Sequence, residues 1–398
     1  MKWIITACAC VVFGASAWAT PQQPALSDLD LVVREVCGKT VALLGEPPMH
    51  AFGKTLDFKV ALVRRLVDEC HFNAFFIESG TYDFLNIQKK LKAGQPVTEA
   101  QIAAAIGGLW ANREMEPLIP FLRDRAQRGV VVLGGLDDQL GRGTYAQQGM
   151  PADLVEYLQG EAKPRCLAIL QKHTLWQYTN DAPYSANDKA LIVGCLDSIG
   201  TSVSKASAGQ APFRDQDIAS IESLKRTFAR DFRDGVPAGA DPTADFNARD
   251  QSMYVNFQWW MSRLPPGSKV IVWTATTHAA KDLGGVPALE RMISLGSNIQ
   301  KAFKDDAFVL GFSASSGSYA MGRQPVRQLS AAPDASLEGQ AFATPSSDTR
   351  YFNVRQLRAL GAIQARPLGA DFKMAKWDQV LDGLVVFREE RPPVPKSP

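Results

Sequence analysis

The chain has 398 residues, 46% of them hydrophobic, with 43 Lys and Arg against 41 Asp and Glu and a formal net charge of +2. No basic block or patterned arm interrupts that balance, which argues against nucleic acid and anionic membranes as partners. The length and apolar content suit one large domain or two small ones, each with a sizeable core.

In chain order, Met1-Lys2-Trp3 precedes an apolar run from Ile4 to Ala15 and the triplet Ala17-Trp18-Ala19. One cation, a short apolar stretch and an A-x-A site form the pattern of a secretory signal, here residues 1–19, cleaved after Ala19. The run is too short to span a bilayer, and no later stretch is long and apolar enough to do so. The expectation is therefore an exported protein, periplasmic or secreted, with no membrane span after cleavage. Its mature part, residues 20–398, is expected to be a single α/β domain.

Residues 20–28 are rich in Pro and Gln and read as an unstructured lead-in. Val41–Leu44 is a short buried strand stopped by Gly45-Glu46-Pro47-Pro48. From Thr55 to Glu69 the apolar residues recur at helical spacing, and Ala74–Ile77 is a second buried strand ending at Glu78. Strand, helix and strand in this order imply a parallel pairing. Helices are expected at about 84–92, 98–107 and 113–127, and a third strand at Val130–Leu133. Residues 151–235 hold no strong strand and read as a helical insertion or subdomain. A long helix follows at 244–263, then strands at Lys269–Thr274 and Ala307–Phe312. Tyr351-Phe352 and Leu384–Phe387 are later strand candidates. The fold class is α/β, a mostly parallel central sheet flanked by helices.

Cys37, Cys70, Cys166 and Cys195 remain after cleavage, and an even number in an exported chain suggests disulfides. Cys37 precedes the first strand, and Cys70 ends the helix that returns to the same edge of the sheet. Cys166 and Cys195 lie on two helical stretches joined by a turn. Bridges 37–70 and 166–195 would each close a loop of about 30 residues, worth ~3 kcal/mol in the chain-entropy model.

Ligands and catalysis gather at the carboxyl ends of parallel strands. Glu46 and His50 follow the first strand, Glu78 ends the second, Asp137 and Asp138 follow the third, and His278 follows the fourth. Each could serve a structural role alone, His71 and His173 more plainly so. Their joint placement makes His50 and His278 candidates for acid–base work, with Glu46 and Glu78 as orienting carboxylates. The chain has no P-loop, HExxH, dinucleotide fingerprint or nucleophile elbow.

Taken together these segments resemble the erythromycin esterase family. Gly45-Glu46-Pro47-Pro48-Met49-His50 is similar to its Gly-Glu-x-x-His motif with one residue more. Lys59 fits its basic helix position. Ile77-Glu78, Trp110 with Arg113-Glu114, and Gly135-Leu136-Asp137 follow in order. Arg249-Asp250-Gln251-Ser252-Met253-Tyr254-Val255-Asn256 matches an Arg-Asp-x-x-Met-x-x-Asn helix motif. Leu295-Gly296-Ser297 and Val309–Phe312 also fit. The resemblance implies a hydrolase acting on a small-molecule ester or lactone, with His50 as general base and Glu78, Glu46 and His278 as its catalytic partners. Lys59, Arg113 and Asp137 would bind substrate or its oxyanion. No cofactor is expected. A divalent metal on His50, Glu78 and His278 is the rival enzymatic arrangement.

Three departures stand out. Ala275 and Thr276 occupy positions that are His and Asn in the family pattern, Glu46 and His50 are one residue further apart, and Lys54 replaces an acid. A third reading is therefore a binding protein that has kept the fold and lost the chemistry.

Overall fold

The computed structural model describes residues 26–47, 50–230, 232–233, 236–237, 241–322, 324–343 and 347–396. The expected export segment 1–19 lies outside them, as do most of the lead-in and Pro48-Met49 within the Glu46–His50 motif.

Seven strands run in the chain order Val41–Leu44 (β1), Ala74–Gly80 (β2), Val132–Asp137 (β3), Val270–Trp273 (β4), Ala307–Tyr319 (β5), Thr349–Asn353 (β6) and Gly383–Glu390 (β7). They form one sheet in the order β3-β2-β4-β1-β5-β7-β6. Every neighbour is parallel except the β7–β6 pair at the edge. Arg327–Gln328 adds an eighth strand among the described residues, antiparallel to the end of β5. The sheet is thus mostly parallel and the fold α/β, as expected. β1 and β4 are buried at every residue, which follows from unbroken apolar runs covered on both faces.

The register positions the site. Leu44 and Ile77 both pair with Trp273, so the segments after β1, β2 and β4 leave the sheet at one level. Ile77 also pairs with Gly135, which brings the end of β3 to that level. Strand β3 departs from expectation: it starts at Val132 and runs through Gly134-Gly135. The glycines are required there. A Cβ at Gly135 would lie 2.6 Å from the Gly80 carbonyl oxygen and 2.7 Å from the Phe84 ring.

The helices pack around this sheet. Asp28–Val36 (α1) is a helix that begins where the expected lead-in ends, in a stretch where the sequence pattern predicts no element, and opens with a Ser27–Asp30 capping box. Gly53–Asp68 (α2) buries Leu56, Val60, Leu62, Val63 and Leu66. Thr81–Lys92 (α3), Glu99–Ile106 (α4) and Leu118–Gln127 (α5) follow. Helix α5 starts five residues later than expected, because Arg113 and Glu114 are bonded to the C-terminal segment instead. Ala162–Thr174 (α6), Ala186–Lys205 (α7) and Arg214–Ala229 (α8) carry a second apolar core containing Leu170, Leu196, Ile199, Leu224 and Phe228. Pro242–Met261 (α9) then returns to the sheet.

Both expected disulfides are present. Cα atoms are 5.0 Å apart in Cys37–Cys70 and 5.5 Å apart in Cys166–Cys195. Lys269 Nζ donates to the carbonyls of Cys37 and Cys70, so the first bridge is tied to the start of β4. Among the described residues no helix is long and apolar enough to cross a membrane.

Candidate active site

Glu46 leaves the end of β1 into a buried pocket of donors. His50 Nδ1 lies 2.6 Å from its Oε1, and the indole N–H groups of Trp110 and Trp273 donate to the same oxygen at 3.0 and 3.2 Å. Lys59 Nζ stands 3.2 Å from Oε2 and 3.9 Å from the centre of the Trp273 ring. Burial opposes the Glu46 charge, but Lys59, His50 and the hydrogen bonds outweigh it and hold the carboxyl below its usual pKa. Burial likewise pulls Lys59 down to about 8 against the pull of Glu46. An ionised Glu46 can only accept, so His50 Nδ1 is the donor in their hydrogen bond. The His50 backbone sits at φ 55°, a strained value for a histidine, and its ring packs against Trp110 at 4.5 Å.

The second half of the cluster centres on Arg249, from α9. Its Nη2 donates to Glu78 Oε1 at 2.9 Å and to Asp137 Oδ2 at 2.6 Å, its Nε donates to Asp137 Oδ1 at 3.2 Å, and its Nη1 lies 3.1 Å from His278 Nε2. Glu78 Oε2 accepts from Thr274 Oγ1 at 2.7 Å and from the Ala275 amide at 2.8 Å. Burial disfavours the Glu78 charge. His278, Arg249, His50 and the Thr274 hydrogen bond overcome it, and the carboxyl is held well below the usual range.

His278 sits on the one-turn helix Thr276–Ala279. Its Nδ1 is 2.8 Å from Asp250 Oδ2, and Asp250 Oδ1 also accepts from the Leu295 amide at 2.7 Å. Burial works against a proton on this ring, but Asp250 and Glu78 outweigh it and raise its pKa above the ordinary histidine value. Phe246 stacks on the same ring at 5.0 Å with the planes 8° apart.

The structure therefore brings His50, Glu46, Glu78, Asp137, His278 and Lys59 to one edge of the sheet. It changes two of the expected roles. Lys59 is 0% exposed and faces Glu46, so it neutralises that carboxylate and does not present a donor to substrate. Arg113 is exposed, its backbone bonded to Val394, and it is not part of the cluster. Asp137 is spoken for by Arg249 and, as an anion, holds that cation in place. Asp138 turns away to Arg230.

Arg249 and Asp250 were not singled out as site residues in the sequence, although they open the matched helix motif; the side chains bonded to them lie on distant strands. Ala275 supplies only its amide to Glu78. Among the described residues no group of three or more His, Cys, Asp and Glu is arranged to hold a metal ion, and both Glu78 oxygens are already bonded.

Two carboxylate–histidine pairs, Glu46–His50 and Asp250–His278, thus stand at the carboxyl edge of a mostly parallel α/β sheet, where ligands of such sheets gather. The erythromycin esterase profile matches residues 67–389, and the chain belongs to that family. No curated protein matches it. A Bacillus cereus protein of solved structure is similar in fold at 16% identity and TM-score 0.69, with 94% of this chain and 95% of that one covered. A succinoglycan biosynthesis protein is similar at 14% identity and TM-score 0.68, covering 94% of each chain. A histidine-to-asparagine variant of erythromycin esterase EreC in its open conformation is similar at 15% identity and TM-score 0.62, covering 90% of this chain and 93% of that one.

Proposed function

We propose that this protein hydrolyses a carboxylic ester or lactone of a small molecule, with His50 as the general base. The observation that carries this reading is the Glu46–His50 pair: a buried, ionised carboxylate fixes Nδ1 as donor and leaves Nε2 to take a proton from water. As His50 takes its proton, the water oxygen bonds to the acyl carbon and the carbonyl π pair moves to oxygen. That pair then re-forms the carbonyl, the bond to the alkoxide breaks, and His50 gives the proton to that leaving group. With Lys59 buried and Arg113 remote, stabilising the oxyanion falls to His278, whose charged form Asp250 and Glu78 favour, and to the Arg249 charge beside it. Ala275 removes a side chain that the family pattern supplies, so erythromycin itself is expected to be a poor substrate.

The test is turnover of a panel of simple esters and lactones by the purified protein and its His50→Asn variant. The expected loss in kcat is ~10²–10⁴-fold, with turnover in both proteins insensitive to chelators. Near-normal turnover by the variant would refute the base assignment, and loss on chelation restored by one metal would favour the metal arrangement. Binding of an ester without turnover would favour the non-catalytic reading, which Ala275 motivates.

Export is part of the proposal. It rests on the N-terminal pattern and on two disulfides, which persist in oxidising compartments. Intact mass of protein recovered from such a compartment is expected to begin at Thr20. A species that keeps residues 1–19 would sink it.

A further inference from the structure

Glu46 and Trp110 hold the His50 ring, but the loop that carries it has a strained backbone at the histidine itself and needs anchors of its own. The residues after it supply them. The Ala51 carbonyl accepts from the Ala320 amide at 3.3 Å, and the Phe52 ring stacks on Tyr319 at 5.5 Å. The Gly53 amide donates to the Arg391 carbonyl at 2.7 Å. Helix α2 begins there without a side-chain cap of its own. Its free amides go to a residue more than three hundred positions away. Lys54 and Thr55 donate their N–H groups to Glu390 at 2.6 and 3.2 Å, and Thr55 Oγ1 donates to it at 3.0 Å. Only glycine fits at position 53, where a Cβ would lie 2.6 Å from Arg391 Nη1 and 2.9 Å from the Pro392 carbonyl.

The same short segment holds the other side of the site. Arg391 bridges Asp57 on α2, at 2.7 Å, and Glu114. Glu114 also accepts from the Val394 amide, at 3.0 Å. The Arg113 amide donates to the Val394 carbonyl at 2.9 Å and the Lys396 amide to the Ala111 carbonyl at 3.2 Å, with a bridge between Asn112 and Pro395. Residues 390–396 thus tie down both the loop of His50 and the segment of Trp110, two of the three groups that meet on Glu46 Oε1.

We propose that this C-terminal strap sets the geometry of the Glu46–His50–Trp110 triplet, with Glu390 as a positioning residue for the base. The proposal rests on His50 being that base. Glu390 touches no reacting atom. It satisfies the amides at the start of α2 and so fixes the direction from which the chain leaves His50. Loosening it displaces the base without removing any group that binds substrate, so kcat falls and KM does not. Glutamine keeps the shape and an acceptor oxygen and is expected to restore most of the function, whereas alanine is not.

The experiment uses the full mature chain and p-nitrophenyl acetate as probe, with E390A, E390Q, R391Q and, as control, E389Q on the exposed side of the same strand. Alongside kinetics, the imidazole nitrogen signals of the four histidines are recorded and His50 is assigned with His50→Asn. The expected result is a ~10–100-fold fall in kcat for E390A at unchanged KM, with the His50 Nδ1 signal moved away from its Glu46-bonded position. R391Q is expected to show a smaller change of the same kind, and E390Q and E389Q values near wild type. A wild-type kcat and an unmoved His50 signal in both E390A and R391Q would overturn the strap. If E390A fails to fold, R391Q carries the same test. If wild type turns over no ester, the hydrolase reading fails separately, and the His50 signal alone decides whether the strap positions it.

Discussion

Arg249 holds three partners at once, and its removal isolates what each costs. The guanidinium spans Glu78 and Asp137 as a fork and also meets His278. It is 20% exposed while both carboxylates are buried. Arg249→Met is expected to lower stability by about 3–5 kcal/mol, because two buried carboxylates then lose their common counter-charge. Arg249→Lys is expected to recover only part of this, since a point charge cannot match both carboxylates. Urea titration of the three proteins checks it; a methionine variant as stable as wild type would mean that His278 and Thr274 suffice for Glu78. The cluster was only half legible in the sequence for a related reason. Glu46, His50, Glu78, Asp137 and His278 announce themselves by following buried strands. Arg249 and Asp250 sit on a helix whose approach to those strand ends depends on the whole chain path. Arg113 shows the converse error: a cation close in sequence to Trp110 that points to solvent.

At the scale of elements, what could be read was what local pattern controls. Val41–Leu44 was expected and observed as a strand with the same ends, and helix α9 differs by two residues at each end. Unbroken apolar runs and helical spacing write themselves into the sequence. Helix α1 was missed although Ser27 and Asp30 form its capping box, a signal present in the sequence. The apolar run Val130–Leu133 predicts strand β3 two residues early, because Val130 is exposed and the strand runs on through two glycines. The length of β5 comes from its pairing with β7 as far as Gly317 and with Arg327–Gln328 at Ser318 and Tyr319. The pairing with β7 is the element-level basis of the strap. Glu390 pairs with Gly317, so the end of β7 reaches helix α2 only because β5 extends past the edge where β1 stops. The order of strands in the sheet, with β4 inserted between β1 and β2, is written in no local pattern.

At the scale of the molecule the described residues form two apolar cores, one around the sheet and one centred on helices α6 to α8, with Tyr82 of α3 and Met150 and Leu154 joining the second. Buried polar contacts join them: Arg230 to Asp138, and Tyr82 and Thr227 to the Asp138 carbonyl. The second core contains a histidine that the first does not need. His173 is buried on α6 among Tyr178, Tyr184 and Phe228, and Tyr178 Oη lies 2.5 Å from its Nδ1. Burial, with Lys172 adding to it and Asp188 opposing, pulls its pKa down from 6.5 to about 4. The unfolded chain therefore binds this proton more readily than the folded one. The stability that neutral His173 contributes is complete above pH 6.5 and is lost as pH falls from 6.5 to about 4, an effect of up to ~3 kcal/mol. The loss belongs to the helical core, so amides of α6 to α8 are expected to lose hydrogen-exchange protection in that window before those of β1 and β4 do. His173→Gln removes the titration. Its melting temperature is expected to start lower at neutral pH, where the Tyr178 contact is weakened, and to fall less than wild type between pH 6.5 and 4. Parallel melting profiles for the two proteins would show that other groups govern the acid response. Equal loss of protection in sheet and helices would show that the two cores unfold as one.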